Sequence, residues 1–129
     1  MHPSHFLILG AQESNLKREL SLSREASEWL FSKHFWGGLN QKYQTIFSQY
    51  EEDTLDHNLT NIVAESLQLL ISELDDEVEA EVRFRYGWNE KKESLYCVLS
   101  RKTLIEEISG LENLMVEASK LNSDVYCQL

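Results

Sequence analysis

Glu77-Val78-Glu79-Ala80-Glu81-Val82-Arg83-Phe84-Arg85-Tyr86 alternates charged and apolar side chains without a slip. In an extended strand successive side chains point to opposite faces. Val78, Ala80, Val82, Phe84 and Tyr86 therefore share one face, and Glu77, Glu79, Glu81, Arg83 and Arg85 the other. Strict alternation means one buried and one wet face, which favours an antiparallel sheet. The polar run Gly87-Trp88-Asn89-Glu90-Lys91-Lys92 turns the chain into a second strand over 94–100. Leu95, Cys97 and Leu99 lie on one side of that strand, Tyr96 and Val98 on the other. Apolar side chains on both faces predict a central strand covered on both sides.

The sequence around this hairpin is mostly helical. Upstream, Leu55, Leu59, Ile62, Val63, Leu67, Leu70, Ile71 and Leu74 recur at helical intervals, with Thr54 placed to cap. At 1.5 Å per residue that helix would be roughly 30 Å long. Leu39, Tyr43, Ile46, Phe47 and Tyr50 form one apolar face of an earlier helix over 39–50. Before it, Ser21 and Ser23 offer N-caps for a helix through Phe35, which Gly37-Gly38 would end. Residues 5–9 read as a short strand or a helix start, interrupted by Gly10. Downstream, Thr103-Leu104-Ile105-Glu106 is a capping box. The helix it opens carries the stripe Leu104, Ile105, Ile108, Leu111, Met115, Ala118 and Leu121. Val125, Tyr126 and Cys127 allow a final edge strand. The expected class is α+β: about four helices packed on a small antiparallel sheet built around the 77–86/94–100 hairpin. A hairpin alone is marginal, so the helices must carry most of the core.

One globular domain, 1–129, accommodates all of this. The chain is long enough to bury a core, 42% of it is hydrophobic, and a single proline and no low-complexity run leave no linker. Cys97 and Cys127 are too few for a disulfide framework and sit in apolar settings, as reduced, partly buried thiols do. The four-residue apolar run 6–9 follows a start without Lys or Arg, so no signal peptide is expected. No segment approaches the length of a membrane span, and the expected location is cytoplasmic.

The charge is concentrated. The chain has 22 acidic and 12 basic residues, and eleven of the acids fall between Glu51 and Val82, where there is no Lys or Arg. The remainder holds eleven acids against twelve bases, so the net charge of -10 is a local property. Glu51, Glu52, Asp53 and Asp56 stand where the third helix should begin, and its dipole stabilises negative charge there. Glu73, Asp75, Asp76, Glu77, Glu79 and Glu81 stand at and beyond its C-terminus, where the dipole disfavours anions. Fold stability accounts for the first group and leaves the second to be explained by a solvated surface or by a basic partner. Trp88, in a polar turn, is the aromatic residue expected to be exposed beside it.

Catalytic and metal motifs are missing from the sequence. Asp53, Asp56 and His57 lack the alternating oxygens, central glycine and distal glutamate of a calcium loop. Cys97 and Cys127 have no zinc-ligand spacing, and a cysteine inside an apolar strand is a poor nucleophile. Gly37-Gly38 follows a helix and not a strand, so no phosphate loop is built there. We therefore expect no enzyme activity, no cofactor and no metal. An acidic surface repels nucleic acid and anionic lipid but attracts and steers a basic protein. The leading expectation is a toxin-immunity protein of bacterial type, neutralising a nuclease-type toxin by blocking its cationic active site. Its partner-binding residues would be Asp75, Asp76, Glu77, Glu79, Glu81 and Trp88, with Glu51, Glu52, Asp53 and Asp56 in reserve. The alternatives are an acidic secretion chaperone or adaptor with an apolar groove, or a DNA mimic that blocks a DNA-binding protein. Homodimerisation stays open.

Overall fold

Two antiparallel sheets organise the chain in the computed structural model, which describes residues 1–10 and 19–129. The elements run β1 (Ser4–Ile8), β2 (Glu19–Leu22), α1 (Arg24–Ser32), α2 (Phe35–Tyr43), β3 (Glu52–Leu55), α3 (His57–Asp76), β4 (Glu81–Trp88), β5 (Ser94–Ser100), α4 (Arg101–Lys120) and β6 (Val125–Gln128). The four helices and the antiparallel pairing make the fold α+β, as the sequence predicts. The hairpin β4–β5 is a sheet of its own, and a second sheet of four strands has the order β2-β1-β6-β3.

That larger sheet buries one face. Phe6, Ile8, Leu22, Leu55, Val125, Cys127 and Leu129 point into the core, while His5, Ser21, Glu52 and Thr54 stay exposed on the other side. The C-terminal strand, expected at an edge, runs between β1 and β3, with Gln128 opposite both His5 and Glu52. Its inward residues, Val125, Cys127 and Leu129, are among the most buried in the chain. The edge on this side is β3 instead, and charge on an edge strand discourages pairing with another chain.

Helices α3 and α4 pack against each other through stripes spaced three and four apart. Val63, Leu67, Ile71 and Leu74 face Leu104, Ile108, Leu111 and Met115 in one core. The cap of α3 is Asp56, whose carboxylate accepts the Asn58 N–H at 2.8 Å; Thr54 and Leu55 belong to β3. Ser23 caps α1, and Ser100, one turn earlier than the expected box, caps α4.

Three boundaries differ from the sequence expectation. Helix α1 stops at Lys33–His34, where His34 takes a left-handed conformation (φ 57°), and Gly37-Gly38 lie inside α2. The break aims Trp36 inward, where it stacks on Phe6 and touches Phe47, and this burial outweighs the poor helix propensity of the two glycines. Helix α2 then ends at Tyr43, and of the expected 39–50 face only Leu39 and Phe47 are buried; Ile46 is 78% exposed. Finally, β4 begins at Glu81 and not at Glu77, because β5, its one partner strand among the described residues, gives way to α4 at Arg101. Val78, expected in the core, is 94% exposed. Strand β5 is correspondingly covered on one side only: Cys97 is buried, and Tyr96 and Val98 face outward.

Candidate functional site: an acidic groove beside strand β4

The two acidic groups stand at opposite ends of α3, whose 20 residues separate them by about 30 Å. They do not form one surface. The N-terminal group is largely absorbed by the fold. Asp56 is the helix cap, and Glu52 reaches across the open sheet face to accept hydrogen bonds from the Tyr126 hydroxyl and, at 3.1 Å, the Gln128 amide. These two donors, Tyr126 first, hold the Glu52 carboxyl below its usual range, and the same contact pushes the Tyr126 phenol up. Asp53 bonds its neighbour's amide, Thr54 N–H, at 2.8 Å. The dipole explanation therefore holds for Asp56 alone, because Glu52 and Asp53 lie in a strand.

At the other end, Asp75 and Asp76 close α3 and Glu77 is its C-cap. Here the fold supplies a cation that the charge pattern did not reveal. Arg101 reaches back from α4, its Nη1 donating to the Leu74 carbonyl at 3.0 Å and to the Asp75 carbonyl at 3.4 Å. It satisfies carbonyls that a helix end leaves open and places a positive charge at the negative end of the helix dipole.

Beyond Asp76 no such compensation exists. Glu77, Glu79 and Glu81 are exposed and have no hydrogen-bond or ion-pair partner among the described residues. They line one groove of about 500 Å³ together with Val82, Arg83 and Phe84 of β4 and Trp29 and Lys33 of α1. The two cations in this groove are held by rings. Lys33 Nζ lies 5.8 Å from the Trp29 ring centre, and the Arg83 guanidinium 4.1 Å from that of Tyr96. Three carboxylates thus stand free above an aromatic and aliphatic lining, an arrangement that can receive a cationic side chain and its apolar stem. Trp88 is exposed (59%) as expected but lies outside the groove. It ends β4 roughly 20 Å from Glu81, with the Arg85 guanidinium 4.2 Å from its ring centre.

Sequence reasoning missed a second concavity, about 590 Å³, on the open face of the larger sheet, lined by His5, Leu7, Glu19, Ser21, Tyr126 and Gln128. His5 Nδ1 lies 2.5 Å from Ser21 Oγ, but no carboxylate orients the ring among the described residues, so the pair lacks the third member of a nucleophilic triad. No signal in the sequence could find this face, because it depends on β6 lying between β1 and β3.

Asp56, His57 and Asp124 bring three possible metal donors within 4.8 Å of one another. Their oxygens already serve the start of α3: Asp124 Oδ1 accepts the His57 backbone N–H at 2.7 Å and lies 3.0 Å from Nδ1, and Asp56 Oδ1 accepts from Asn58. The cluster reads as a helix-start lock. Both thiols are free and buried, and burial pushes the Cys97 thiol up and the Cys127 thiol up to about 12, the opposite of an activated nucleophile. None of the helices is long and apolar enough to cross a membrane. The chain matches no protein-family model, no curated protein and no solved structure, so its function has to be argued from this geometry.

Proposed function

We propose that this chain is a non-enzymatic binding protein that captures a basic protein partner at the groove between α1 and β4. The observation that carries the reading is the set of three carboxylates, Glu77, Glu79 and Glu81, that have no partner among the described residues and line a groove with the half-buried Phe84. Unpaired charges on a groove wall accelerate encounter with an oppositely charged partner, and desolvated aromatic contacts give affinity. The partner class that needs such a cationic surface is one that handles phosphates. A cytoplasmic immunity protein of bacterial type, occluding the active site of a nuclease-type toxin, is the form of this function we favour. The separation of the two acidic groups by the length of α3 weighs against a DNA mimic, which needs carboxylates spread evenly over one wide face.

The test compares the wild-type chain with Glu79→Lys/Glu81→Lys as immobilised baits, at low and at high salt. Both substitutions are at exposed positions and are expected to leave the fold intact. A basic protein held by the wild type at low salt, released by high salt and not held by the variant supports the reading. Equal retention by both baits would sink the groove as its site, and retention insensitive to salt would point to an apolar adaptor.

A further inference from the structure

The sequence prepares a longer strand than the structure uses. Alternation is unbroken from Glu77, yet β4 starts at Glu81, and Val78 and Ala80 are left exposed. Strand β4 is also paired on one side only. Its other edge carries no strand among the described residues, and residues of this strand and of the segment before it, Glu77 to Phe84, line the groove shared with α1. An open edge is a template for another strand.

The side chains along this edge specify which strand. The charged row reads Glu77, Glu79, Glu81, Arg83, Arg85, and its inner four positions are two acids followed by two bases. Against a second copy running antiparallel and centred on Val82, Glu81 meets the partner's Arg83 and Glu79 meets the partner's Arg85. Glu79 and Glu81 then each face a base, twice over by symmetry, while Glu77 falls opposite the partner's Gly87. In that same register the apolar row pairs Ala80 with the partner's Phe84 and Val82 with itself, and the match ends there because β4 bulges at Tyr86, between Arg85 and Gly87. A one-residue slip would lose both matches. Neither arginine has an ion pair within its own chain among the described residues; each rests on a ring instead. We infer that the free edge of β4 pairs with β4 of a second copy in this twofold register, joining two hairpins into one four-stranded sheet. Such self-complementarity is what an isologous interface requires.

The inference does not rest on the basic-partner reading, but the two occupants claim the same edge and must compete for it. The experiment is sedimentation equilibrium on charge-block variants. The wild type is expected to dimerise. Arg83→Glu/Arg85→Glu, with acids at all four paired positions, and Glu79→Arg/Glu81→Arg, with bases at all four, should each self-associate at least about tenfold more weakly. Mixed together they should form a heterodimer, and combining all four substitutions in one chain, which restores a self-complementary row, should recover the homodimer. That recovery also excludes misfolding as the cause of the losses. A monomeric wild type, block variants that dimerise unchanged, or variants that fail to pair on mixing would each overturn the inference. Arg83→Glu/Arg85→Glu separates the two readings, because it removes the second copy while making the groove more negative, so a basic partner should bind it no less tightly.

Discussion

Replacing Arg101 by methionine tests whether the acidic run is tolerated because a single cation anchors its root. The guanidinium donates through Nη1 to the last carbonyls of α3, and a charged donor to a backbone acceptor is worth about 1.5–3 kcal/mol. Its position at the negative end of the helix dipole adds about 0.3–1 kcal/mol. Against this, Nε of the same group is buried without a partner, which costs about 1–3 kcal/mol. At the midpoints of these ranges the balance is a stabilisation of about 1 kcal/mol. Methionine keeps the apolar stem and removes both the donor and the orphaned nitrogen, so Arg101→Met should lose that amount. At roughly 4 °C per kcal/mol for a chain of this size, Tm should fall by about 4 °C. Urea unfolding followed by circular dichroism gives the free energy directly. Repeating it at about 1 M salt, where the Debye length is about 3 Å, should narrow the gap without closing it, since the hydrogen bonds outlast the screening. A loss below about 0.5 kcal/mol at low salt would refute the anchoring role and leave Asp75 and Asp76 as unexplained as Glu77.

Asp124 is held below its usual range by its hydrogen bonds with His57, so its stabilising effect is complete above the unfolded value of about 3.9 and fades as pH falls through the lower folded value. Asp124→Asn should therefore have a lower urea midpoint than the wild type at neutral pH, with the two converging in acid; a constant gap down to about pH 2 would contradict this. Gly37→Ala and Gly38→Ala place a methyl group where no atom lies within 4 Å, on an exposed face of α2, and each should stabilise the chain by about 1 kcal/mol in the same urea assay. Cys127, with its thiol pushed up to about 12, should resist a thiolate-selective reagent at pH 8 in the folded chain and react fully in denaturant. Rapid labelling of the native Cys127, read by peptide mapping, would mean that the centre of the larger sheet opens readily.

Long periodic segments were legible in the sequence because their pattern repeats often enough to fix a period. Helices α3 and α4, 20 residues each, present five or more buried positions apiece on one stripe. Strand β6 has two inward positions, Val125 and Cys127, too few to separate a centre from an edge, and its place is decided by β1 and β3 arriving from distant parts of the chain. The break at His34 was hidden for another reason: Gly37-Gly38 carries a strong local stop signal, and only the tertiary burial of Trp36 overrides it.

The candidate site shows the same division between local pattern and distant partner. Glu52 and Glu79 look alike in the sequence, each an acid within an acidic run. Glu52 is engaged by the Tyr126 hydroxyl, 74 residues away, while Glu79 has no partner among the described residues. Composition counted both as candidates, and only the fold could divide them. Alternation is likewise a local property, whereas a strand exists only where another strand runs beside it. Strand β5 ends where Arg101 must begin α4 and reach back to α3, so the chain's own hairpin cannot extend to residue 77. Yet the alternation continues there, with an apolar side chain at 78 that nothing in the chain covers. The partners proposed above, a basic protein or a second copy, would both meet this segment, where Glu77, Glu79 and Glu81 have no partner among the described residues.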